Sequence, residues 1–335
     1  MKKYSLVLYC LAANDESVTT TVPESASPLN TTRFLAVAAI IVTVLMWASS
    51  FVIVRWAAPD IAPGPLALLR LLAGTATLTL LLLWVRRGRL QMPNRQALWL
   101  TATYGVMWFA LYTVVFNWAG HFIDAGTISM LVNLAPLMVA IGAGLFFREG
   151  FPRRLFIGMT VSLLGISLIT IAGSVGQLAI VGLLMSAFAA ILYAGGMMIQ
   201  KLALRHTDPL TATWLACLAG TIALLPFAYQ TIGEVSAASM STLLWAVYMG
   251  IGPSALGFWF WGYAMMRFPA GKVAASSLTV PAIVVVMSAL VLQELPPLLA
   301  AIGGVICLAG VGIAQWKSPK KEPNVAAATR EPAKV

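Results

Sequence analysis

Charge is what this 335-residue chain has least of: only 10% of its residues are Asp, Glu, Lys or Arg, against 60% that are hydrophobic. A soluble domain carries about a quarter charged residues. The sequence cannot cover a water-facing surface, which excludes a soluble globular fold. Cysteine and histidine are scarce as well. Cys10, Cys217 and Cys307 are far apart and form no C-x-x-C, which excludes a disulfide scaffold and a structural zinc site. His121 and His206 belong to no zinc motif, and no Walker loop, D-D-x-x-D cluster or G-x-S-x-G is present. Gly252-Pro253-Ser254-Ala255 has no intramembrane histidine to activate its serine. The sequence therefore implies no metal or cofactor, and a membrane-embedded enzyme is only the alternative reading. A non-transporting scaffold or sensor is disfavoured because the polar tails are too short for a signalling domain. Nothing resembles the repeated filter loop of a channel.

What the chain does have is apolar runs of bilayer length, each needing about 20 residues. Ten are readable: 34–54, 65–85, 97–120, 125–147, 155–173, 178–199, 210–230, 241–266, 273–292 and 298–316. Short links marked by Pro, Gly or Asn join them, as between antiparallel neighbours in a bundle. Residues 1–32, rich in Ser, Thr and Pro from Asn14 to Asn30, read as a disordered tail, and residues 317–335 as a basic tail near anionic headgroups. The apolar stretch after Met1-Lys2-Lys3 is short for a signal peptide, and Tyr9 is too large for a lipoprotein cleavage site ahead of Cys10.

The charge that exists is lopsided, with 21 basic residues against 11 acidic and a net charge of +10. In a soluble protein this would suggest nucleic acid; here it is read by the positive-inside rule. If the N-terminus is cytoplasmic and ten spans alternate, nineteen basic residues fall on the cytoplasmic side. Only Arg55 falls outside, and Arg70 lies within a span. A miscounted span would scramble this partition. The expectation is a multi-pass protein of the plasma (bacterial inner) membrane with both termini cytoplasmic and no nucleic-acid partner.

Residues 98–168 superpose on 243–313 at a constant offset of 145. Among the identical pairs are Gly105/Gly250, Pro136/Pro281, Glu149/Glu294, Pro152/Pro297, Gly158/Gly303 and Gly165/Gly310. Glu is scarce here and Pro is disfavoured inside helices, so their coincidence is informative. Two halves, 33–173 and 177–316, each hold five spans, an odd number, so the second enters the membrane from the opposite side. The fold class is thus an all-α integral membrane protein, ten transmembrane helices arranged as two inverted five-helix repeats. Such symmetry gives a site between the halves equivalent access to either side, a signature of secondary transporters.

Here a family resemblance becomes specific. Trp47-Ala48-Ser49-Ser50-Phe51 in the first span and Leu69-Arg70-Leu71 in the second resemble the EamA family of the drug/metabolite transporter superfamily. So do Ala125-Gly126 with Pro136, Glu149, Gly158 and Gly165, and Ala270-Gly271 with Pro281, Glu294, Gly303 and Gly310. The resemblance covers about residues 34–315. It implies a small-molecule permease, often an exporter of amino acids and related metabolites, with a central cavity between the halves. One departure lies before the fourth span, where Phe122-Ile123 replaces the family's Tyr-Thr and Asp124 follows.

Arg70, the only charge well inside a span, must face protein or a wet cavity, because a central Arg costs about 2.5–3.5 kcal/mol in lipid. It suits an anionic group such as a carboxylate, though a structural role bonded to a neighbouring span stays open. Pro136 and Pro281 read as hinges beside the polar residues Asn133 and Ser277. Among aromatics with polar tips, Trp47 and Tyr193 occupy comparable places in the first and sixth spans. These two, with Asn117 and Trp259, complete the candidate substrate-binding set. Glu149 and Glu294 read as structural caps of the helices beginning near Pro152 and Pro297 rather than as proton carriers. All eleven acidic residues lie in tails, loops or span ends. Ion-driven carriers commonly place a carboxylate at mid-membrane, so the expectation is a carrier working downhill or by exchange, or using an end carboxylate unconventionally.

Overall fold

The computed structural model describes residues 28–87, 92–139, 153–173, 177–268, 273 and 276–315, and every regular element among them is helical. The first repeat opens on α1 (Pro28–Ala57) and α2 (Pro63–Val85). The third span joins α3 (Arg95–Tyr104), a π-helical segment Gly105–Tyr112 and α4 (Thr113–Ala119). Then come α5 (Ala125–Val132) and α6 (Arg153–Gly173). The second repeat runs α7 (Gln177–Ala203), α8 (Pro209–Ala223), α9 (Ala228–Ala237) and α10 (Met240–Met249). A second π-helical segment, Gly250–Gly257, leads into α11 (Phe258–Arg267), followed by α12 (Val280–Val291) and α13 (Leu298–Gln315).

Five helical runs are long and apolar enough to cross a membrane: Thr32–Ala57, Pro63–Val85, Arg95–Ala119, Ile180–Ala203 and Met240–Arg267. The bent pair Pro209–Ala223 and Leu225–Ala237 makes a sixth, and four further apolar helices are shorter. The chain is an all-α, multi-pass membrane protein. Caps that the sequence supplies fix several entries: Asn94 accepts from the Ala97 N–H, Asp124 from Thr127, Asp208 from Leu210 and Thr211, and Ser239 from Thr242.

The repeat is visible element by element. α3, the first π segment and α6 start 145 residues before α10, the second π segment and α13. For α2 and α8 the spacing is 146, with Pro63 and Pro209 each at a helix start, where a missing N–H costs nothing. Contacts between equivalent helices are reciprocal. Thr75 hydrogen-bonds its own counterpart Thr221, hydroxyl to hydroxyl, at 2.8 Å. In the α6–α13 pair, a Cβ on Gly165 would overlap the Cys307 backbone and one on Gly310 would overlap Ser162, while Ser162 donates to the Cys307 carbonyl at 3.1 Å. Along α2 and α8 the contacts run from Leu71–Cys217 through Thr79–Trp214 to Arg86–Asp208, so the two helices are antiparallel. Reciprocal contacts of this kind define an approximate two-fold axis.

Three details depart from the sequence expectation. The first helix begins at Pro28, inside the segment read as a tail, and residues 1–27 lie outside the described residues. The seventh span is not one straight helix: it bends by 47° around a 3-10 turn, Leu225–Phe227, that carries Pro226. The two conserved-in-register prolines do not interrupt continuous helices. The fourth span turns at Asn133–Leu134, ahead of Pro136, and the ninth passes through a 3-10 turn, Ser277–Thr279, so Pro281 stands in the first turn of α12. The break precedes the ring, because the ring blocks the preceding turn from staying α-helical. Both π segments were unforeseen. They occur where Gly105 presses on the Ala216 carbonyl and Gly250 on the Arg70 carbonyl, positions at which any side chain would collide with backbone. A π turn widens the helix at such contacts, and the Thr113 hydroxyl, five residues on, reaches the Trp108 carbonyl at 3.5 Å.

Candidate functional site

Between the repeats lies a cavity of ≈ 480 Å³, its open side included. α1 contributes Trp47, Ser50 and Phe51, α2 contributes Arg70, and the third span contributes Trp108, Tyr112 and Phe116. Val132 and Asn133 come from the end of α5, Tyr193 from α7, Phe258 from α11, and Ser277 and Val280 from the broken ninth span. The walls are aromatic. The Trp47 ring centroid lies 4.6 Å from Trp261, 5.1 Å from Phe258 and 6.2 Å from Tyr193, and Trp108 meets Tyr193 edge-on at 4.6 Å. Tyr112 stacks on Phe116 at 5.6 Å, with planes 3° apart.

The second π segment positions the polar groups. The Ser254 hydroxyl accepts a 2.6 Å hydrogen bond from Arg70 Nε, and the Pro253 carbonyl accepts one from Trp47 Nε1 at 3.3 Å. The Gly257 carbonyl accepts from the Thr43 hydroxyl at 3.1 Å. Arg70 is only 4% exposed, yet one of its terminal nitrogens, NH1, has no hydrogen-bond partner, and neither has the buried Trp108 Nε1. Both unpaired groups are donors. Buried donors normally find acceptors, so these two leave hydrogen bonds for a bound acceptor to fill. At the break in the fourth span, Asn133 Nδ2 donates to the Ser129 carbonyl at 2.8 Å, a second bond beside the one that carbonyl accepts from the Asn133 backbone N–H.

Of the residues singled out in the sequence, Arg70, Trp47, Asn133, Tyr193 and Ser277 line this cavity. Asn117 and Trp259 do not. Asn117 is buried beside the start of α2, where its Nδ2 donates to the Pro63 carbonyl at 3.1 Å. Trp259 is buried and stacked on Phe260 at 5.4 Å. Its neighbour Phe258 lines the cavity instead, because adjacent residues on a helix face different directions. Ser50, Phe51, Phe116, Phe258 and Ser254 went unselected in the sequence. The stripe Trp108, Tyr112, Phe116 at four-residue intervals was the available signal for one wall.

Glu294 does not cap the following helix; its carboxylate is taken by Arg55. Arg55 Nε donates to both carboxylate oxygens at 3.1–3.2 Å, NH2 donates to Oε1 at 3.0 Å, and NH1 donates to the Gly120 carbonyl at 3.1 Å. One arginine thus ties the end of α1 to two linkers. Glu149 lies outside the described residues. Nearby, burial and the adjacent Arg55 hold the His121 imidazole below its ordinary pKa. Hydrogen bonds from the Thr242 and Ser239 hydroxyls hold the Asp60 carboxyl below its usual range.

An all-helical membrane protein built from two matched repeats around a central cavity has the architecture of a carrier. The comparisons with known proteins make this particular. The EamA-like transporter family matches the chain twice, over residues 34–171 and 180–315, and the chain belongs to that family. It is 31% identical over 278 residues to a "probable terminal-alkyne amino-acid exporter" of Streptantibioticus cattleyicolor, covering 82% of this chain and 92% of that protein. It is 24% identical to a "probable amino-acid metabolite efflux pump" of Salmonella typhimurium, covering 82% and 92%. A solved structure titled only as a crystal structure of a protein has the same fold, with a TM-score of 0.60 at 18% identity, covering 83% of this chain and 96% of that one.

Proposed function

We propose that this transporter moves a small amphipathic metabolite bearing a carboxylate, such as an amino acid or an aromatic acid, out of the cell by alternating access. The observation that carries the reading is Arg70: a buried guanidinium with an unpaired donor, in an aromatic cavity between two antiparallel-related repeats. The planar fork of Arg suits a carboxylate, and Trp47, Trp108 and Tyr193 offer faces to an apolar side chain. The names of the relatives agree with an amino-acid-like substrate. The bent pair and the four shorter apolar helices, each read as one span, bring the topology to ten spans. The 19-to-1 partition of basic residues supports both termini being cytoplasmic and a plasma-membrane location. The breaks ahead of Pro136 and Pro281 serve as paired hinges.

Reconstitution in liposomes with a panel of labelled metabolites tests this, comparing wild type with Arg70→Gln. Carboxylate-bearing compounds move in the wild type and at least tenfold more slowly in the variant. Transport of nothing in the panel, with the same unlabelled compound present on the far side, would sink the permease reading. Unchanged carboxylate transport by the variant would remove the anchor role.

A further inference from the structure

We propose that this carrier works mainly by exchange, because an unoccupied Arg70 hinders return of the empty cavity and a bound carboxylate on either side releases it. The inference rests on the permease reading above and concerns what drives its cycle. Among the described residues, Arg70 is the only charged one lining the cavity. The described acidic residues, Asp60, Asp124, Asp208, Glu234 and Glu294, are not among the lining. Ser254, the one group that holds Arg70 Nε, is neutral. The cation therefore has no counter-ion among the cavity residues, and its NH1 and the nearby Trp108 Nε1 are donors awaiting an acceptor.

A carrier passes through a closed state twice in each cycle of net transport, once loaded and once empty. A Lys or His in this place could shed its proton and close as a neutral group. Arg cannot, because its delocalised guanidinium holds the proton throughout the physiological pH range. Enclosing an uncompensated guanidinium costs several kcal/mol, whereas a bound carboxylate supplies the opposite charge and the missing acceptors together. The penalty falls on the empty transit alone. Every 1.4 kcal/mol of it slows that transit tenfold, so exchange outruns net movement. Repeat symmetry adds no second cation, since Ala216 and Phe109 stand where Arg70 and Ser254 stand in the other half.

The test uses full-length protein in liposomes loaded with labelled L-phenylalanine or L-leucine and diluted into chloride-free HEPES buffer. Unlabelled amino acid in the outer buffer is expected to speed efflux of the label tenfold or more. In Arg70→Gln the two efflux rates should agree within about twofold, whatever their absolute value. Arg70→Lys, which can shed its proton and close as a neutral group, should lose much of the acceleration. Equal wild-type efflux with and without outside amino acid would overturn the proposal while leaving a permease that works downhill. Acceleration surviving in Arg70→Gln would overturn it too, as would equal acceleration by outside chloride alone. No efflux under any condition would remove the permease reading and this proposal with it.

Discussion

The two repeats share a backbone and differ where they meet the cavity. Gly105 of the first packs on the Ala216 carbonyl of the second, and Gly250 of the second packs on the Arg70 carbonyl of the first. The same two contacts carry unlike side chains: Arg70 corresponds to Ala216, and its partner Ser254 corresponds to Phe109. Trp47 likewise corresponds to Tyr193, and Val132 to Ser277. Close helix packing constrains the backbone at these places identically in both halves. The side chains escape that constraint, and Arg70, Trp47, Tyr193, Val132 and Ser277 line the cavity. Shape is therefore held in common, and each repeat places its polar groups at positions where the other is apolar.

The largest expected effect attacks the shared part. Gly105→Val and Gly250→Val each place branched carbons against a backbone carbonyl that cannot move aside. Each should cost about 3 kcal/mol and give a similar drop in melting temperature and in monodisperse protein recovered in detergent. A variant tolerated in one repeat and ruinous in the other would break the equivalence. The second effect separates the halves. Arg70→Met should abolish transport of the carboxylate probes yet leave thermal stability unchanged or raised by about 1 kcal/mol, because removing an unpaired buried charge relieves a cost. Ala216→Ser should alter neither. A marked fall in melting temperature for Arg70→Met would make Arg70 a structural residue.

Much of this was readable in advance, for physical reasons that also mark the limit. The repeat was legible because the scarce Glu and the helix-breaking Pro recur in register, and Arg70 because a charge in an apolar run has few places to go. Trp47 and Tyr193 were legible from their matched depth. The π segments were not, since their cause is the approach of a carbonyl from another helix to Gly105 or Gly250, and no local pattern encodes that. Asn117 and Trp259 were misplaced because which side of a buried helix faces the cavity depends on its rotation against its neighbours. The Arg55–Glu294 pair joins residues far apart in the sequence, and short-range capping rules pointed elsewhere.

That pair gives a third, smaller prediction. Both side chains are about one-third exposed, and such bridges contribute about 0–1 kcal/mol. Arg55→Glu should lower the melting temperature slightly and Glu294→Arg likewise, while the double reversal should recover most of the loss. Corresponding positions in the other repeat are Lys201 and Glu149, so reversals there should match in size if the two ends of the molecule behave alike. Recovery absent from the Arg55 double reversal would show that the contact to Gly120, rather than the ion pair, is what stabilises this end.

The smallest effect concerns pH, and it too distinguishes the repeats. His121 corresponds to Met266, so only one end of the cavity carries a titrating group at this place. Burial and Arg55 depress the His121 pKa in the folded protein, whereas the unfolded chain keeps the ordinary value near 6.5. The unfolded state therefore takes up this proton first as pH falls. The contribution of neutral His121 to stability is present above about pH 6.5 and is lost as pH drops through the depressed folded value. Melting temperature measured from pH 8 down to 5 should decline on the acid side in the wild type and decline less in His121→Gln. Because Arg55 is one cause of the depression, Arg55→Gln should shrink the same acid decline, and Met266→Gln should leave it untouched. An acid limb equally steep in His121→Gln would assign it to other groups and erase this difference between the two ends.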